Sequence, residues 1–137
     1  KHSEYNKNDD SPVKFLQIWV FPNRRGVTPR YDQITLNTED RKNRFQQILS
    51  PSSEDEGVWI HQNAWFHMSD LEKGNSLDYE IKSPGNGLYV FVLEGDVIVD
   101  GQELSTRDGL GLWDTNKVSF TAKSNASLLL MEVPMNV

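Results

Sequence analysis

Cysteine is absent from these 137 residues. That excludes disulfide frameworks, thiolate zinc sites and thiol nucleophiles together. Long apolar runs are missing as well. The longest stretches, such as Leu128 to Met131 and Tyr89 to Leu93, fall far short of the roughly 18 residues that cross a bilayer, and no signal-like segment opens the chain. A cytoplasmic protein with no membrane partner is the expectation. Positive charge is also scarce: 14 Lys and Arg stand against 20 Asp and Glu, a net charge of -6. That sign repels phosphates, so nucleic acid is not expected as a direct ligand. No heptad, long repeat, low-complexity tract or long amphipathic helix is present, nor a Gly-rich phosphate loop, a nucleophile elbow or a zinc-protease helix.

What is present reads as β structure. The length fits one domain, and area scaling leaves about 7,000 Å² exposed, enough burial for one core without staples. The opening KHSEYNKNDDSP is too polar to start that core. FLQIWVF (15–21) is rich in β-branched and aromatic residues and ends at Pro22, which predicts a strand buried on at least one face. In LNTEDRKNRF, Asn37 or Thr38 is placed to cap a short helical turn with acids in its first turn. From Phe45 onward, FQQIL, VWIHQNAWFHMSDL, SLDYEI, LYVFVLEGDVIVDG, LGLWD, VSFTA and SLLLMEV are split by Gly, Pro, Asn, Asp and Ser. Such spacing predicts an all-β sandwich or barrel, with one short helix in the linker before it. Within it, Glu94-Gly95-Asp96 links two strands and Asp100-Gly101 is a type I′ hairpin signal.

Several residues are candidates for chemistry. His2-Ser3-Glu4 would place an imidazole and a carboxylate on one face of a strand, where both can reach one divalent metal, though two ligands make half a site. His61 and His67 are too far apart along an uninterrupted strand to share an ion unless the chain turns between them. His61 is read as a hydrogen-bonded core-strand histidine and His67 as a half-buried structural residue. Glu94, Asp96 and Asp100 are read as turn residues. Trp19, Trp59, Trp65 and Trp113 are assigned mostly to the core, with one free to line a flat-ligand pocket. Arg24-Arg25 and Arg41-Lys42 are read as solvated turn charges, and the Asn125-Ala126-Ser127 sequon as a chance match.

HSEYN, VKFLQIWVFPNRRGVTPRYDQ, LSP, IHQNAWFHMSDLEKG and YVFVLEGDVIVDGQELSTRDGLGLWD together resemble the pirin family of bicupins, whose bacterial members include quercetin 2,3-dioxygenase-like proteins. The resemblance implies two tandem jelly-roll β-sandwiches. It also implies one divalent metal in the first, iron above all, or Cu, Ni, Mn, Co or Zn. An upstream His-x-His and a later His-x-Glu would hold it. His2 and Glu4 match the second pair, as metal ligands, with Glu4 also the candidate proton acceptor. No two of the three histidines here are separated by one residue. The implied organisation is residues 1–22 as the last strands of a truncated metal-binding cupin, 23–45 as linker and 46–137 as a metal-free C-terminal cupin. LDYEIKSPGNGLYVFVLEG, without histidine, agrees with the last. The intact parent would be a dioxygenase acting on a small aromatic or flavonoid-like substrate. This chain alone would hold no metal, be inactive, and be prone to homodimer formation or strand exchange. The alternative is a regulatory module that binds protein partners.

Overall fold

The computed structural model describes residues 2–136. Apart from one 3₁₀ turn, Thr38–Arg41, every regular element is a strand: β1 Gln46–Ser50, β2 Val58–Trp59, β3 Trp65–Leu71, β4 Ser76–Glu80, β5 Asn86–Glu94, β6 Val97–Val99, β7 Gln102–Leu104, β8 Gly109–Leu112, β9 Lys117–Ala122 and β10 Ala126–Pro134. They form a sheet of six, ordered β2-β1-β3-β10-β5-β8, and a sheet of four, ordered β4-β9-β6-β7. Among the paired strands of the described residues, only β1 and β2 run parallel. The expected all-β sandwich is what the chain builds.

Alternation explains how the sheets meet. On β10, Leu128, Leu130 and Glu132 turn inward, opposite Val92, Val90 and Leu88 of β5. They pack on Tyr79, Val97, Val99, Val118 and Phe120 of the four-stranded sheet. Branched side chains at these positions suit a pleated surface buried on one side. The other face of the large sheet is apolar too: Phe66, Met68, Leu129, Met131, Tyr89 and Phe91 alternate with the inward set. An antiparallel sheet that ends at solvent shows polar residues there.

Local signals hold where turn chemistry governs. Asn37 caps the 3₁₀ turn, its side chain accepting from Glu39 N at 3.1 Å. Asp100 and Gly101 have φ of 47° and 83°, the two positive values a type I′ turn demands between β6 and β7.

Three expectations fail. Phe15–Phe21 forms no strand; Phe15, Trp19 and Phe21 are 63%, 76% and 76% exposed. A strand needs a neighbour for its backbone groups, and among the described residues no strand pairs with this segment. The exposed segment helps raise the accessible surface to 9530 Å², above the area expected from size. VWIHQNAWFHMSDL is not one strand, because residues 60–64 bend between β2 and β3 and take His61 out of the core. Finally, none of the four tryptophans is buried: Trp113 is 63% exposed, and Trp59 and Trp65 are intermediate. The core is filled by Val, Leu, Phe and Tyr instead.

Candidate functional site

His2 and Glu4 lie in irregular chain, where the register of a strand does not hold them. Their side chains still converge. His2 Nε2 is 3.8 Å from Glu4 Oε1, and Gln17 Nε2 lies 3.3 Å from the same imidazole nitrogen. Both groups are about half to two-thirds exposed. They line an open cavity of about 450 Å³ whose far wall is Leu16 to Phe21. At metal–ligand distances of roughly 2.1 Å, one ion can touch donors this far apart. The pair therefore fits two corners of a divalent-metal site. Among the described residues, no group of three His, Asp or Glu side chains could hold an ion.

The other candidates are not brought to that place. Asp100 accepts Ser119 N at 2.8 Å, and the Asp96 backbone is tied to Ser124, both within turns. Asn125 accepts Lys73 N at 2.9 Å, a loop contact. Arg41 pairs with Asp70 at 3.0 Å instead of standing free in solvent.

His67 is more deeply placed than half-buried, at 4% exposure on β3. Its ring meets Tyr79 edge-on at 5.1 Å and Phe45 at 6.4 Å. Burial, with a smaller push from the Lys82 charge, lowers its pKa to about 4; Asp55 pulls weakly the other way. Nδ1 has no partner, so the neutral ring sits among aromatic edges.

Glu132 escaped the sequence reading. It is wholly buried on β10 and collects donors from both sides of the sandwich. Tyr79 Oη donates at 2.6 Å, and Lys82 N, Ser83 N and Asn86 Nδ2 each at 3.0 Å. One signal was available: in SLLLMEV, Glu132 falls on the same alternation as Leu128 and Leu130, which marks an inward carboxylate. Burial and the Glu132 bond push the Tyr79 hydroxyl well above its usual range.

Residues 47–133 match the family model described as the quercetinase C-terminal cupin domain. The chain belongs to that family. This cupin is 32% identical over 134 residues to a quercetin 2,3-dioxygenase of Escherichia coli K12, which covers 98% of the chain and 56% of that protein. A pirin-like protein of Caulobacter vibrioides is 29% identical, covering 96% of the chain and 56% of that protein. The crystal structure of YhhW from Escherichia coli superposes with a TM-score of 0.78 at 30% identity, over 85% of this chain and 48% of that one. A second YhhW structure, solved in complex with nickel(II), gives 0.74 at 30% identity, over 82% and 47%. The cupin therefore spans about half the length of the relatives it matches. The sandwich described above is the cupin fold.

Proposed function

We propose that the chain is the second half of a two-cupin oxidoreductase of the quercetin 2,3-dioxygenase type, and that His2 and Glu4 are its share of a divalent-metal centre in the first half. The convergence of His2 and Glu4 at 3.8 Å carries this reading. Two features support it: the half-length match to dioxygenase relatives, and the exposed apolar side chains of Phe15, Trp19 and Phe21, which a second domain would cover. When bound, a divalent ion supplies Lewis acidity toward the hydroxyl and ketone oxygens of a flavonol-like substrate. His2 then serves as a neutral imidazole ligand. Glu4, the adjacent carboxylate, is placed to take the substrate's hydroxyl proton. His67 and Glu132 have no part in this chemistry, being sealed in the second sandwich.

The test is turnover by the full-length protein. Supplied in turn with Fe²⁺, Cu²⁺, Ni²⁺ and Mn²⁺, it is expected to bleach quercetin with at least one, and His2→Ala or Glu4→Ala to stop the bleaching. Inactivity with every metal would overturn the enzymatic reading. A second reading, a cupin that regulates protein partners, is favoured by the likeness to a pirin-like protein and by the acidic net charge, which suits a basic partner. Partner binding that survives both substitutions in a protein without turnover would select it.

A further inference from the structure

Residues 20–32 are clasped to β2 and the bend that follows it by three bonds spanning long sequence separations. Asn23 N donates to His61 O at 2.7 Å, Gln62 Nε2 to Phe21 O at 3.0 Å, and Arg30 Nη1 to Trp59 O. Between the clasped surfaces lies a cavity of about 380 Å³, within the range of small-molecule sites. Val20, Pro22 and Val27 form one wall and Val58 and Ile60 the other. Because the clasp fixes both walls, the cavity exists before any ligand arrives.

Its polar groups define what it can take. The Arg30 guanidinium lies over the Trp59 ring, 3.9 Å from the centroid, with Nη2 3.6 Å from the Asp32 carboxylate. That cation is therefore matched in charge and covered on one face, leaving little pull on an anion. His61 stands edge-on to Trp59 at 5.0 Å. Among the described residues, neither of its ring nitrogens makes a hydrogen bond, so one donor and one acceptor remain on offer. Apolar walls, proline rings and an uncommitted imidazole complement a flat, uncharged molecule with one hydroxyl.

We propose that this cavity binds a neutral phenol, its ring between Val27 and Ile60 and its hydroxyl on His61. The site uses neither His2 nor Glu4, so it stands apart from the metal reading.

Phenol itself is the probe, titrated into the 137-residue chain with a chelator present and followed by NMR of the Trp59 indole and His61 ring signals. Saturable shifts at both residues are expected, with benzoate and cyclohexanol binding more weakly. His61→Leu should weaken phenol about tenfold, the loss of one hydrogen bond. Val27→Trp, on the clasped segment, should abolish binding by filling the space while the β5 and β10 signals stay in place. Shifts that do not saturate, equal binding of benzoate, or unchanged affinity in Val27→Trp would each overturn the proposal. The Val27→Trp arm decides it even where His61→Leu fails to fold.

Discussion

The Tyr79 hydroxyl donates to Glu132 Oε2 at 2.6 Å and so joins β4 of the small sheet to β10 of the large one through the interior. A buried carboxylate with four protein donors is satisfied, but each donor depends on it. Tyr79→Phe should cost about 2 kcal/mol, and Glu132→Leu more, since it strands Lys82 N, Ser83 N and Asn86 Nδ2. Urea denaturation checks both; losses under about 0.5 kcal/mol would show that the bond is not structural.

The same pair sets an alkaline limit. Burial raises the Tyr79 pKa in the folded protein above that of the unfolded chain. The unfolded state therefore releases its proton first, and stability, full below pH about 10, falls as pH rises beyond that value. Thermal melts of the protein and Tyr79→Phe should differ by a constant amount from neutral pH to about pH 10 and draw together between about pH 10 and 11, as the parent alone loses stability.

His67 gives the opposite limit. Its folded pKa, near 4, lies below its ordinary 6.5. Above pH 6.5 both states are neutral and stability is flat. As pH falls through 6.5 the unfolded chain takes a proton that the folded ring refuses until about pH 4, so roughly 3 kcal/mol drains away across that window. His67→Phe keeps an aromatic ring against Tyr79 and should lose this slope. A parallel pH profile for the variant would show that other groups carry the acid sensitivity.

Two turn glycines should respond unequally to alanine. Gly101 has φ of 83° but open space around its Cα, so Gly101→Ala should cost about 1 kcal/mol of backbone strain. Gly95 has φ of 87°, and an added Cβ would run into the Asn125 carbonyl and Ala126, so Gly95→Ala should cost about 3 kcal/mol. Equal losses in chemical denaturation would contradict the close approach of the β5–β6 turn to the start of β10.

Legibility in the sequence followed the range of the interaction. The Asp100-Gly101 turn and the Asn37 cap depend on neighbours within a few residues, and both were readable. The alternating runs from Phe45 onward marked the sandwich for the same reason. Phe15–Phe21 has strand composition but no strand, because pairing needs a second chain segment that composition cannot place. His61 left its expected strand because the Asn23 and Gln62 bonds hold a bend there, a contact between residues about 40 apart. Trp59 was free to stand outside the core because Arg30 covers it. Of the proposed metal ligands, the sequence offers the residue types but not the 3.8 Å approach of His2 and Glu4, since nothing local fixes it.

Metal content of the full-length protein tests the central claim most directly. Elemental analysis after purification should find one divalent ion per chain, and His2→Ala and Glu4→Ala should each empty the site while leaving the fold unchanged by circular dichroism. A full complement of metal in both variants would contradict the assignment of these two side chains.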